Sequence, residues 1–265
     1  MQNNMTSSIN LPRKFEVPDL KSGDIIGKTV IVTGASRGIG KSTAELFSRL
    51  GLKVGIVARD TDELYVTAKE IGCVAFPCDV SKENDVKEVF RKAKKMWRKV
   101  DIVVANAGFI KPSPIKDTTL SDWQKHLNVN LTGVFLFARE FLRQKIKPGC
   151  FITVSSTSGM KGRSVWSAYS ASKAGAINFS EALAEEAKKM KVKVYDVAPS
   201  RTATKMRRSL FRNEDQSKMN QPEDVARLIA FCCSSKNIYP EGTSFWINNK
   251  ITMLWKKYSF IMKEQ

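Results

Sequence analysis

The sequence predicts a single-domain α/β fold, a doubly wound parallel sheet of about seven strands flanked by helices. Two observations carry this. Short apolar runs rich in β-branched residues recur along the chain, and segments with helical apolar spacing separate them. Regular strand–helix–strand alternation forces right-handed crossovers, and these build a parallel sheet covered on both faces.

The elements follow in order. Residues 28–33 (KTVIVT) read as a buried strand. In 40–50 the residues Ala44, Leu46, Phe47 and Leu50 fall at helical spacing, and Gly51 stops the helix. A second strand at 54–58 (VGIVA) leads to a helix through Leu64, Val66 and Ala68 that ends near Gly72. Pro77 closes a third strand at 73–76 (CVAF). An amphipathic helix over 82–98 and a fourth strand at 100–105 (VDIVVA) come next. A long helical region spans 120–145, before a fifth strand at 150–154 (CFITV). One long helix is expected over 164–190, then a sixth strand at 192–198 (VKVYDVA), a helix near 222–235 and a last strand at 243–247 (TSFWI). Residues 1–27 read as an N-terminal arm, 28–247 as the domain with a lid at about 200–220, and 248–265 as a tail.

Composition narrows the function. The five cysteines are scattered and form no C-x-x-C pair, which argues against a zinc ribbon or a thioredoxin motif, and no metal-ligand cluster is expected. The start lacks a signal-like apolar region, so a cytoplasmic protein is expected. No apolar run is long enough for a membrane span. The formal charge of +18 suits an anionic partner, but lysine-rich faces opposite apolar stripes, as in residues 86–97, account for much of it. No zinc-finger spacing or RNA-binding aromatic signature appears, so no nucleic-acid partner is predicted.

The stretch VTGASRGIGKST at 32–43 can be parsed two ways. Gly34, Gly38 and Gly40, between the first strand and first helix, permit a tight turn and close backbone approach to a pyrophosphate, with Ser36, Arg37 and Ile39 between them. A P-loop would instead need Lys41 on a phosphate, Ser42 on magnesium and a strand ending in Asp. The fourth strand ends in Asn106-Ala107-Gly108, so Lys41 and Ser42 are expected to be helix surface.

Tyr169 and Lys173 sit four apart in the long helix and therefore on one face. An ammonium beside a phenol favours phenolate, which suits general acid–base work. Ser156 follows the fifth strand, Asn106-Ala107-Gly108 follows the fourth, and Asn130 lies in the intervening helical region. Together these motifs, with TGASRGIG at 33–40, resemble the short-chain dehydrogenase/reductase family, NADP(H)-type members of the 3-oxoacyl-acyl-carrier-protein reductase kind in particular, from about residue 28 to 247.

The resemblance implies a Rossmann-type fold and an oxidoreductase that moves a hydride between a nicotinamide and a carbonyl or secondary alcohol. It implies that Tyr169 exchanges the proton with the substrate oxygen and that Ser156 holds that oxygen. Lys173 would lower the Tyr169 pKa and bind the nicotinamide ribose, and Asn130 would anchor a relay water. Asp79 and Val80 would contact the adenine, Asn106, Ala107 and Gly108 the adenosine side, and Thr202 and Thr204 the nicotinamide amide and phosphates. A homo-oligomer, dimer or tetramer, is also implied. The alternative is a catalytically idle relative that binds dinucleotide as a sensor or scaffold; intact Ser156, Tyr169, Lys173 and Asn130 argue against it.

The second strand ends in Ala58-Arg59-Asp60 where an NAD site wants a carboxylate on the ribose 2′-hydroxyl. Arg59 and Arg37 suit a 2′-phosphate, so NADP(H) is favoured over NAD(H), and Asp60 reads as an N-cap of the next helix. Three features depart from the family pattern. Ser200 follows Pro199 where glycine is usual. The lid is basic, with Lys205, Arg207, Arg208 and Arg212, which reads either as a solvated face or as a surface for an anionic substrate. The apolar segment 251–262 reads as oligomer packing or a pocket wall, with an interfacial helix as the weaker reading. Phe109, Ile110, Met160, Val165 and Trp166 suggest an apolar wall for a small carbonyl or alcohol substrate.

Overall fold

A computed structural model describes residues 14–15, 25–144, 148–248 and 251–255. The outer parts of the expected arm and tail, and the end of the 120–145 helical region, lie outside these residues.

Seven parallel strands form the body of the sheet: β2 (Thr29–Thr33), β3 (Lys53–Ala58), β4 (Val74–Pro77), β5 (Ile102–Ala105), β6 (Gly149–Val154), β7 (Val192–Pro199) and β8 (Ser244–Asn248). The chain lays down β2, β3 and β4 in one direction, then crosses back to place β5, β6, β7 and β8 on the other side of β2. The reversal between β2 and β5 opens a crevice beyond their carboxyl ends, where ligands of such sheets bind.

Strand side chains alternate between two cores. Val30, Val32, Ile102, Val104, Ile152 and Val197 pack with α1 (Gly38–Arg49), α2 (Asp62–Ile71) and α9 (Pro222–Cys233). Ile31, Val103, Phe151 and Val194 pack with α3 (Glu83–Trp97), α5 (Gly133–Arg143) and α7 (Ser167–Ala187). Both faces are covered, which is why the strands read as continuous apolar runs rather than as alternation.

The structure differs from expectation in three places. The region 120–145 is not one helix: α4 (Leu120–Leu127) and α5 are joined by a π-helical turn at Asn128–Thr132 that carries Asn130. The expected helix over 164–190 begins only at Ser167, because Val165 adopts a φ of 57° that no right-handed helix accepts. Beyond β8 the tail does not simply trail off. Ile251–Trp255 forms β9, antiparallel to β8, and Lys14–Phe15 forms β1 on its far edge. Asn248 pairs with Ile251, and β-rich runs flanking Asn-Asn-Lys were the available signal for the antiparallel pair. Of the apolar segment expected to pack an oligomer or pocket, 251–255 is thus a sheet strand, and 256–262 lies outside the described residues.

Candidate active site

The glycine turn and the end of β5 are pressed together. A Cβ on Gly34 would lie 2.7 Å from Ala107 Cα, and one on Gly40 would lie 2.6 Å from Asn106 Nδ2 and 2.8 Å from Ala35 Cα. Asn106 Nδ2 donates to the carbonyls of Thr33 (2.8 Å) and Gly34 (3.2 Å), while Thr33 Oγ1 accepts from the amides of Asn106 and Ala107 (2.9 Å each). Asn106 therefore clamps the turn. The α1 N-terminus has no side-chain cap and no acid in its first turn, so its amides and dipole are left for an anion. A pyrophosphate fits this cradle.

The P-loop parse fails here. Lys41 Nζ pairs with Glu70 of α2 at 2.6 Å, and Ser42 Oγ donates to Glu223 of α9 at 3.1 Å. Lys41 is partly exposed, but Ser42 is buried rather than surface, because α9 packs over it.

Of the residues predicted to bind the cofactor or take part in catalysis, all except Gly40 and Asn130 line one cavity of about 1280 Å³. Of the predicted apolar wall, Phe109, Ile110, Val165 and Trp166 line it and Met160, at the end of the short helix after Ser156, does not. At one end lie Ser36, Arg37 and Arg59. Glu63, which sequence reasoning missed, reaches into this end: its Oε2 accepts from Ser36 Oγ (3.3 Å) and pairs with Arg37 Nη1 (3.5 Å). An acid in the first turn of the helix after the second strand was the signal for it. Asp60 is not the cap of α2; Thr61 holds that position, and Asp60 accepts from Tyr65 Oη. Burial works to raise the Asp79 carboxyl, but hydrogen bonds from Ser81 and the charges of Lys82 and Arg59 hold it below its ordinary value. Asp79 and Val80 lie on the wall beyond β4.

At the other end Ser156, Tyr169 and Lys173 converge. Ser156 caps the short helix α6 (Thr157–Met160), its Oγ accepting from Ser158 N at 3.1 Å. Tyr169 lies in the first turn of α7, within the positive end of the helix dipole. Burial raises its phenol above the ordinary value, and a hydrogen bond with Ser156 works against that. Lys173, one turn on, is buried; its Nζ donates to the Val154 carbonyl at 2.8 Å and stands 6.0 Å from the Tyr169 ring centre. Burial pulls the Lys173 ammonium down to about 8. The expected net lowering of the Tyr169 phenol is not what the site gives: burial raises it, and Ser156 is the group that counters the rise.

Asn130 sits behind the cavity wall. Its Oδ1 accepts from Phe109 N (2.7 Å), and its Nδ2 faces Phe109 O and Ser172 Oγ (2.9 Å each). The side chain braces the loop after β5. The π-turn aims it there. Thr202 and Thr204 line the cavity with hydroxyls already engaged, Thr202 donating to Ser200 O and Thr204 capping the lid helix α8 (Lys205–Leu210).

The family model described as short chain dehydrogenase matches residues 28–215. The chain belongs to the short-chain dehydrogenase family. Among its relatives, the 3-oxoacyl-[acyl-carrier-protein] reductase of Bos taurus is 38% identical over 219 residues, covering 78% of this chain and 92% of that protein. The Homo sapiens protein of the same name is 36% identical over 222 residues, covering 80% and 93%. A short-chain type dehydrogenase/reductase from Mycobacterium marinum superposes with a TM-score of 0.79 at 30% identity, covering 84% of this chain and 95% of that one. A 3-ketoacyl-(acyl-carrier-protein) reductase from Brucella melitensis, solved with NADH, gives 0.79 at 29%, covering 84% and 97%. This short-chain dehydrogenase is therefore an oxidoreductase acting between CH–OH and C=O groups with a nicotinamide dinucleotide.

The lid of this short-chain dehydrogenase carries a clasp. Arg207 lines the cavity, with its Nε and Nη2 both bonded to Glu214 at 2.6 Å and its guanidinium 3.9 Å from the Phe211 ring centre. Phe211 packs in turn on Trp166, and Trp166 meets Tyr169 edge-on at 5.8 Å. The clasp ties the lid to the neighbour of Tyr169. We expect Glu214→Gln to raise the substrate KM roughly fivefold, the equivalent of about 1 kcal/mol for a weakened bidentate pair, with kcat little changed. An unchanged KM in a folded variant would remove the clasp from substrate binding. Ser200, the other departure, is accommodated without strain: its φ is not positive, and its hydroxyl donates to Asn248 Oδ1 at 2.8 Å.

Proposed function

We propose that this chain is an NADP(H)-dependent carbonyl reductase, or secondary alcohol dehydrogenase in the reverse sense. The observation that carries the reading is a single cavity with the glycine cradle and paired arginines at one end and Ser156, Tyr169 and Lys173 at the other. The dinucleotide supplies the hydride when bound. Gly34, Gly38, Gly40 and the α1 amides hold its pyrophosphate, Arg37, Ser36 and Arg59 its 2′-phosphate, and Asp79 and Val80 its adenine. The backbone at 106–108 supports the adenosine side, and Thr202 and Thr204 flank the nicotinamide end.

Ser156 donates to the substrate oxygen and orients it. Tyr169 passes its proton to that oxygen as the carbonyl is reduced, and Lys173 stabilises the phenolate that remains. Asn130 keeps the loop after β5 in place and offers its main-chain carbonyl to a water that returns the proton. Oxidation runs the same steps backward.

The relatives' names make 3-oxoacyl thioesters the first substrates to test. A cytoplasmic location is supported by the five cysteines, all unpaired. The deciding experiment mixes the chain with NADPH and a panel of carbonyl compounds, 3-oxoacyl thioesters included, and follows nicotinamide oxidation. Oxidation that needs both components supports the reading. Tight NADPH binding with no turnover across the panel would point to an idle dinucleotide sensor instead.

A further inference from the structure

Beneath the proton-transfer groups lies a carboxylate that the mechanism above does not use. Asp196 is 1% exposed, in the middle of β7, on the face of the sheet that α7 covers. Its Oδ2 accepts from Ser155 Oγ at 2.7 Å. Its Oδ1 is buried and makes no bond of normal geometry. A buried carboxylate with a single firm hydrogen bond is costly to keep, so its position calls for a reason.

The geometry supplies one. Lys173 Nζ rests on the carbonyl of Val154, the last residue of β6, and the next residue, Ser155, holds Asp196. Val154 stands opposite Val197 in the ladder, so ammonium and carboxylate are anchored to neighbouring rungs. The groups facing Asp196 are few. Lys173 and Ser180 come from α7, Ser180 donating to Thr153, the residue opposite Asp196. Ser155 is the residue just past β6, and Ser244, opposite Asp196 on β8, lies close enough to help hold the charged form. Cys232, from α9 across the sheet, is a thiol that feels the same charge. Among the described residues that act on Asp196, Lys173 is the one cation.

We propose that Asp196 is a positioning residue for this reaction: its buried carboxylate, held by Ser155, sets the charge that Lys173 carries and so the readiness of Tyr169 to exchange its proton. The role rests on the reading of Tyr169 and Lys173 proposed above. Burial drives the Lys173 ammonium down and the Asp196 charge opposes it, leaving it at about 8. Burial likewise pushes Asp196 up to about 7, with Ser155 and Lys173 holding it down. Each keeps the other ionised near neutral pH.

The sign is then fixed. Without the carboxylate, Lys173 gives up its proton at lower pH. Carbonyl reduction needs the proton on Tyr169 and the charge on Lys173, so the alkaline limb of kcat/KM moves to lower pH. The test uses the full chain with Asp196→Asn, close in shape, and Ser155→Ala, which keeps the carboxylate but removes its hydrogen bond. Lys173 is followed by NMR of labelled lysine, its resonance assigned by its loss in Lys173→Met. We expect the Lys173 midpoint to fall by about one unit in Asp196→Asn and by less in Ser155→Ala. The alkaline limb should follow, with acid-side kcat within about twofold.

An unmoved Lys173 midpoint in a folded Asp196→Asn overturns the proposal, as does a loss of activity that is uniform across pH. If Asp196→Asn does not fold, Ser155→Ala decides alone, an unmoved midpoint counting against. A shifted midpoint in a protein that reduces no carbonyl with NADPH would sink the functional reading while leaving the Asp196–Lys173 coupling standing.

Discussion

Replacing Tyr169 by Phe is expected to lower kcat by about 10²- to 10⁴-fold, the range general acid catalysis contributes, with NADPH affinity nearly unchanged. The reasoning is steric as much as chemical. The ring stays wedged edge-on against Trp166, so only the hydroxyl facing Ser156 is lost. Turnover at the wild-type rate would show that another group delivers the proton. Stopped-flow reduction at saturating NADPH separates the chemical step from binding, and a matching loss in the alcohol-oxidation direction is required, since one residue serves both.

The second large effect concerns the far end of the cavity. Arg37→Ala with Arg59→Ala is expected to weaken NADPH by about 10- to 100-fold and leave NADH within about twofold. Hydrogen bonds to charged groups are worth about 1.5–3 kcal/mol, and 1.4 kcal/mol is a factor of ten. Glu63 moderates the gain in the wild type, because part of the Arg37 charge already faces its carboxylate. Equal losses for both dinucleotides would show that the arginines do not read the 2′ position. Titration of each reduced nucleotide by fluorescence is a sufficient measurement.

Much of this was readable from residue order. The seven parallel strands announce themselves because both faces of the sheet are buried, so most of each strand is an apolar run. The glycine turn and the Tyr169–Lys173 spacing are local, and local patterns survive in a linear string. What escaped notice depends on residues far apart in sequence. Glu63 matters only once α2 is set beside the turn that carries Ser36 and Arg37. Arg207 read either as a solvated cation or as a contact for an anionic substrate, and its bond to Glu214 and packing on Phe211 were not visible in the string. Asp196 sat unremarked inside an apolar strand, because nothing in β7 alone reveals that Ser155 and Lys173 close over it. The π-turn at Asn130 was hidden for another reason: one extra residue per turn leaves the helical periodicity almost undisturbed.

The pairing of Lys14 with Met253 places a segment from near the start of the chain against one from near its end. Closing so long a loop is entropically costly, and such contacts form late. On a ribosome the partner of Lys14–Phe15 does not exist until β9 has been made. The strands from β2 to β8 can assemble as they emerge, whereas β1 must wait for β9. A chain interrupted before β9 leaves both β1 and the outer edge of β8 without the strand they pair with.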